Sequence, residues 1–531
     1  MSEELTADLV VVGFGAAGAC AAIEAARAGA RVVVLDRFGG GGASAISGGV
    51  VYAGGGTSVQ RAAGVADTPE AMFEYLRREV AGVVSDATLR RFCAESPAMI
   101  DWLAELGVPF DPTACPYKTS YPSNKYYLYF SGSEAAGGFS EAAPPAPRGH
   151  RAHGRGISGA ALFGALRRAA DRLGVRVLTQ TEAVELCVES DRVVGVVARR
   201  LTGWPGRAHR WLSRVAAKPG LYYPPLRRAL HGRATALERR YARPVRIRAG
   251  AGVVLAAGGF IANRELLREH APAYRGGLAL GTPGDDGAGL RLGTAVGAAT
   301  GELGSVSVWR FITPPSAFLS GLLVDADGRR VCDESRYGAA IGHQLVAEHG
   351  GRGWLLVDAA LVAEARGQLR GQTVWFQRMQ AEYLLRSRRV SGATMSEVAA
   401  RAGMSAGGLA ATVAAHNAAA EGGRPDPAGK PAEFVRPLTQ PPYSLLDISI
   451  RPSAYYPCPM LTLGGLVVDE DTGAVRRPDG SRIDGLFAAG RSAVGICSRS
   501  YVSGLSLADC VFSGRRAGRS VVRRVSDLAN G

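Results

Sequence analysis

The spacing of apolar residues changes twice within the first fifty positions. Leu9 to Val12 is an unbroken aliphatic run, the pattern of a strand covered on both faces. Ala19 to Ala28 predicts a helix, and Gly29 is placed to end it in a left-handed turn. Arg31 to Leu35 predicts a second strand, closing at Asp36. Farther on, "TPEAMFEYLRREV" and "DATLRRFCAESPAMIDWLAELG" make residues 60–110 helical, opened by Asp67-Thr68-Pro69. Two more strands end in small residues, "VVLAAGG" (253–259) and "DGLFAAGR" (484–491). "DGRRVCDESRYG" (327–338) closes a strand and leads into a helix, and "EGGRPDPAGKPAEFVRPLTQPPY" (421–443) is a proline-rich connector. Residues 111–150 are loop-like and hold Tyr117, Tyr121, Tyr126, Tyr127 and Tyr129, which suit either a packed aromatic loop or a wall for a flat, bulky ligand. Strands alternating with helices predict an α/β fold.

The turn between the first strand and helix is G-x-G-x-x-G, at Gly13, Gly15 and Gly18. The first glycine allows the tight turn, the second lets backbone approach a pyrophosphate, and the third lets helix pack on strand. A pyrophosphate then meets the helix N-terminus, and the acid after the second strand, Asp36, faces the ribose hydroxyls. This is a Rossmann-like dinucleotide site. The small-residue loop "GGGGASAISGGVVYAGGG" (39–56) can run along a flavin where larger side chains would clash.

The chain has 531 residues, a length for two or three domains. Its eight cysteines form no C-x-x-C pair, which argues against zinc or an iron–sulfur cluster and for reduced thiols. No secretory leader is visible, and no apolar stretch reaches the roughly 20 residues of a membrane span. The expectation is a cytoplasmic protein, or one held peripherally at the inner face of the membrane. The net charge of +15 is concentrated. Residues 201–250 hold twelve Arg or Lys against one acid, Glu238.

The glycine motif, the 39–56 loop and the two later strands, in this order, resemble the flavoproteins of the succinate dehydrogenase and fumarate reductase superfamily. The resemblance covers most of the chain, with a gap at about 201–247. It implies an FAD-binding domain over 1–303 and 441–531, with a capping, catalytic α+β domain over 304–440. It also implies FAD contacts at Gly13, Gly15, Ala16, Ala17, Gly18, Asp36, Arg37, Ser44, Ser47, Gly48 and Gly49. Later contacts would be Ala257, Gly258, Asp286, Gly490, Ser506 and Leu507. The chain departs from the pattern at Asp36 and Arg491, where these flavoproteins usually carry Glu. Residues 38–56 contain no histidine to which FAD could be attached, so the cofactor is expected to be non-covalent.

Fumarate reductases of this group carry a His and an Arg near the C-terminal glycines. Cys497 and Tyr501 fall at those places here, so a dicarboxylate would lose its charge-assisted partners. Phenol and hydroxyl groups instead suit dehydrogenation beside a ketone, where a donor stabilises the developing enolate oxygen and a hydroxyl relays the proton. "SYVSGLSLAD", with the upstream "RYG", resembles the 3-ketosteroid dehydrogenases, and most closely the Δ4-(5α) type. The Δ1 type has Tyr-x-Gly-x-Gly where this chain has Tyr501-Val502-Ser503-Gly504-Leu505. The resemblance implies that Tyr501 holds the C3 keto oxygen, Ser503 takes the C4 proton and Tyr337 passes it towards solvent. Each residue also has a plainer reading: Tyr501 as packing, Ser503 as a helix cap, Tyr337 as the end of a strand. The tyrosines between 117 and 129 can supply a second phenol, and the sequence does not single one out. Alternatives are the Δ1 reaction, flavin-dependent reduction of an enone or enoate, and a flavoprotein at the membrane surface without catalysis.

Residues 202–248 interrupt a strand pair, since "DRVVGVVARR" and "VRIRAGAGVVLAAGG" match as a hairpin. Cations there are mixed with Trp204, Trp211, Leu212, Leu221, Tyr222, Tyr223 and Leu226. A solvated basic lobe, a contact with an anionic membrane surface and docking to an acidic protein all fit this composition. No nucleic-acid-binding motif accompanies the charge. A steroid substrate and a quinone acceptor would both reside in a membrane.

Overall fold

The computed structural model describes residues 3–217, 223–274 and 276–530. Lys218, Leu221 and Tyr222 of the basic segment lie outside the described residues.

An eight-stranded sheet organises the chain. Seven of its strands follow the order Ala474–Arg476, Arg482–Ala488, Arg192–Arg200, Arg243–Leu255, Glu3–Val12, Val32–Asp36 and Arg176–Thr179. Thr181–Glu189 pairs with Arg192–Arg200 as the eighth. The strands around the glycine turn are parallel. Leu9, Val10 and Val11 are fully buried because helices and loops cover both sheet faces, which explains their unbroken apolar run. The first strand starts at Glu3, earlier than its apolar run predicts, because Glu3 to Ala7 pair with Val245 to Ala249 of the long neighbouring strand. The matched segments around 200 and 243 do form an antiparallel hairpin, with Arg200 opposite Arg243.

The helix after the glycine turn runs Ala16–Arg27. Gly13 has a φ of +103°, and a Cβ at Gly18 would lie 1.9 Å from the Gly13 carbonyl oxygen. Any side chain at Gly18 would push the helix off the turn, so glycine there serves close packing. The C-terminal helix, Leu505–Asn530, uses the same device against the first helix. Gly514 and Gly518 would bring a Cβ to 2.4 Å from Ala17 O and 2.5 Å from Ala21 O. An ion pair between Arg515 and Glu24 closes that contact.

A second apolar core gathers side chains between Ile312 and Tyr456. It lies on a four-stranded antiparallel sheet of Leu322–Val324, Trp354–Val357, Tyr443–Asp447 and Arg389–Gly392, in that order. Tyr443–Asp447 sits between two of its partners, so this sheet takes a strand from beyond residue 440. The helix Gly338–His349 follows Tyr337, as the "RYG" stretch predicts. Among the described residues, no helix is long and apolar enough to cross a membrane.

Candidate active site

A cavity of about 1040 Å³ opens along the carboxyl end of the main sheet. It gathers the wall residues that the sequence spreads over the whole chain. Gly13, Gly15, Ala16, Ala17, Asp36, Arg37, Ser44, Ser47, Gly48 and Gly49 line it, with Ala257, Gly258, Asp286, Ser506 and Leu507. Tyr337, Tyr501 and Ser503 line the same cavity. Gly18 and Gly490 are the two predicted residues outside this wall. Gly490 has φ +59° and a Cβ there would lie 2.8 Å from Ala17 Cβ, so it seats the first helix while its neighbours Ala489 and Arg491 face the cavity.

Backbone donors organise the glycine end. Asp36 accepts from the N–H groups of Phe14 (3.0 Å), Phe38 (2.8 Å) and Gly40 (3.1 Å), which fixes its carboxylate at the cavity rim. Ser44 Oγ accepts from Ala16 N at 3.0 Å and ties the small-residue loop to the helix start. Tyr121 holds that loop from the other side, its hydroxyl donating to Gly48 O and Gly156 O at 2.9 Å. Tyr121 also lines the cavity, while Tyr127 packs beneath Arg151, which lies over Tyr121 and Tyr127 at 4.6 and 5.0 Å.

One tyrosine of the tyrosine-rich segment reaches Ser503. Tyr129 is fully buried, and its hydroxyl lies 3.0 Å from Ser503 Oγ. The backbones are laced together as well: Ser503 N donates to Ser131 O, and Ser131 Oγ donates to Ser503 O, each at 3.1 Å. Gly504, not Ser503, precedes the C-terminal helix, and its carbonyl accepts from Ala508 N at 3.0 Å. The Ser503 hydroxyl is therefore turned to the phenols. Tyr337 sits at the cap of its helix with its N–H on Ser133 Oγ (3.0 Å), and its ring lines the same cavity as Ser503.

Tyr501 stacks on Trp309, with centroids 5.1 Å apart, and lies 6.3 Å from the Tyr337 ring. Burial pushes the phenols of Tyr129, Tyr337 and Tyr501 above the usual tyrosine range. All three are neutral donors at physiological pH.

Cys497 is buried and its thiol faces Asp509 Oδ2 at 3.6 Å, a packing position behind the wall. Burial pushes the Asp509 carboxyl up to about 6. A raised folded pKa favours the protonated acid, so this group's contribution to stability is complete below its ordinary value of 3.8 and is lost as pH rises through about 6. Asp509→Asn is expected to stabilise the fold near pH 8 by about 3 kcal/mol at most. Urea midpoints of the two proteins should converge as the pH falls towards 4.

Two arginines also line the cavity: Arg491, already marked in the sequence as a departure from the flavoprotein pattern, and Arg310, which carries no signal in the local sequence. Arg310 is buried, lies 4.4 Å over the Tyr456 ring and donates to Ser449 O at 3.3 Å. Arg491 pairs with Asp285 at 2.7 Å, while its buried Nη1 has no protein partner. An unpartnered guanidinium N–H at the cavity wall suits an acceptor oxygen of a bound molecule. Together with the first-turn amides of the helix behind Gly15, it gives a donor set fitted to a flavin dinucleotide.

Known proteins resemble the chain over most of its length. A family model described as "FAD binding domain" matches residues 8–504. The chain is 40% identical over 498 residues to the 3-oxo-5-alpha-steroid 4-dehydrogenase of Comamonas testosteroni, covering 91% of this chain and 92% of that one. It is 27% identical to the 3-oxosteroid 1-dehydrogenase of Mycobacterium tuberculosis, over 93% of this chain and 94% of the other. The crystal structure of the 3-ketosteroid-Δ4-(5α)-dehydrogenase from Rhodococcus jostii RHA1, in complex with 4-androstene-3,17-dione, superposes with a TM-score of 0.81 at 31% identity. That match covers 98% of this chain and 97% of the other. A glycine turn built for a dinucleotide, a hydroxyl cluster in place of cations and these whole-length likenesses lead to one conclusion: the chain belongs to the FAD-binding flavoproteins of the succinate dehydrogenase and fumarate reductase superfamily, in the branch of the 3-ketosteroid Δ4-(5α)-dehydrogenases.

Proposed function

We propose that this chain inserts a C4–C5 double bond into a 3-keto-5α-steroid. The observation that carries the reading is the hydroxyl cluster of Tyr501, Ser503 and Tyr337 on the cavity wall, with Tyr129 buried behind Ser503. Tyr501 O–H holds the C3 keto oxygen and stabilises the enolate charge that develops on it. Ser503 Oγ takes the C4 proton while handing its own to a phenol. Serine is a poor base alone, and the bond to Tyr129, with Tyr337 on the same cavity wall, supplies the relay it needs. Tyr337 lines the cavity and passes the proton on. FAD, held non-covalently along the glycine turn and the small-residue loop, would supply the redox chemistry for removal of the C5 hydride.

A membrane-dissolved quinone as the final acceptor, and contact of residues 202–248 with a membrane surface, complete the proposal. Trp204, Trp211 and Tyr223 are exposed among the cations of that segment, which supports the contact. The division into a cofactor-binding part and a capping part, the latter extended to Asp447, is supported by the separate apolar core.

The test is anaerobic mixing with 5α-androstane-3,17-dione and, separately, with 4-androstene-3,17-dione. Loss of flavin colour with the first alone, and a 4-ene product, is the expected result. Loss of colour with the second would assign Δ1 chemistry and remove Ser503 from its role.

A further inference from the structure

The basic insertion is docked on the cofactor cavity through its single acid. It folds into two packed helices, Gly203–Ala217 and Pro224–Tyr241. Glu238 on the second helix takes Arg37 in a bidentate pair, both contacts 2.8 Å, and accepts from His209 of the first helix at 2.9 Å. The same His209 ring stacks on Phe38, with centroids 5.6 Å apart and planes 4° from parallel. Phe38 in turn occupies the space beside Gly284, where a Cβ would meet its ring at 2.8 Å. Arg227 grips the facing loop, donating to Ala279 O at 3.1 Å and Gly281 O at 3.0 Å. The insertion thus joins two rims of the cavity: the turn after Asp36 and the loop around residues 279–286. Arg210, Ser213 and Arg214 of its first helix line the cavity between them, and Arg210 reaches Gln180 at 2.9 Å.

We propose that this helical pair is a clasp over the adenosine end of the FAD site and sets how long the cofactor is retained, with Glu238 as its latch. The acid closing the second strand of a Rossmann unit faces the ribose, so the end of the cavity beside Asp36 is the adenosine end. The catalytic hydroxyls lie elsewhere on the wall, so the clasp acts on retention and not on chemistry. Glu238 is held below its usual range by Arg37 and His209 and stays ionised, so the latch persists across neutral pH. Arg37 keeps Asp286 at 2.8 Å when Glu238 is lost, so the turn after Asp36 is still anchored.

Glu238→Gln in the full chain tests the proposal, read as FAD release from the holoenzyme by the recovery of flavin fluorescence. Release is expected to be about tenfold faster, roughly the change from removing one charge-assisted contact. FMN, which lacks the adenosine half, is expected to bind the flavin-stripped variant and the parent alike. A second variant replaces residues 201–242 with an Asn-Gly turn, which the opposed Arg200 and Arg243 permit; it should show the same loss for FAD alone. Unchanged FAD release in Glu238→Gln, or an equal weakening of FAD and FMN in either variant, would overturn the clasp and leave the insertion a structural lobe.

Discussion

Tyr501→Phe is expected to lower the rate of steroid oxidation about 10²–10³-fold, the cost of removing one donor to a developing oxyanion. The ring remains, so its stacking on Trp309 and its contact with Tyr337 are kept. Flavin content and thermal midpoint should therefore stay close to those of the parent, separating lost chemistry from lost fold. The loss should fall mainly on kcat, because the hydrogen bond strengthens as the ketone becomes an enolate. Burial raises the phenol above its usual range, so the donor is protonated below that range and is lost only as pH rises above it. Rates measured between pH 7 and pH 10 should show no decline from this group. A variant with an unchanged rate would reduce Tyr501 to a packing residue.

Ser503→Ala should cost about 10²–10⁴-fold, the range for a positioned proton-transfer group. It also strands the Tyr129 hydroxyl, which is fully buried and bonded to Ser503 at 3.0 Å. An orphaned buried hydroxyl costs about 1–3 kcal/mol, so the single variant should be less stable as well as slower. Adding Tyr129→Phe removes the orphan. The double variant should regain stability in denaturant titrations without regaining activity. Recovery of both would mean that Ser503 acts only through packing.

The sequence carried the local parts of this account. The glycine turn was legible because strand, turn, helix and acid fall within forty residues and each has one physical task. The hairpin flanking the insertion was legible because its two apolar runs match. Contacts between distant segments were not. Tyr129 and Ser503 are 374 positions apart, and nothing near either residue names the other. Arg310 sits in an ordinary aromatic stretch, and its burial over Tyr456 depends on a chain segment far downstream. The insertion reads as a basic lobe because twelve cations dominate its composition, whereas its docking runs through Glu238 to Arg37, 201 positions away. Composition weighs all residues equally, but one bidentate pair at a cavity rim outweighs many solvated charges.

The proposed reaction takes the hydride from C5 and the proton from C4. It is tested most directly by oxidising two samples of a 3-keto-5α-steroid, one carrying deuterium at C5 and one at C1, and weighing the products. The C5 label should be lost completely, with slower oxidation of that sample, and the C1 label should be retained in full. Retention at C5 with loss at C1 would contradict it and assign the hydroxyl cluster to the other side of the ketone.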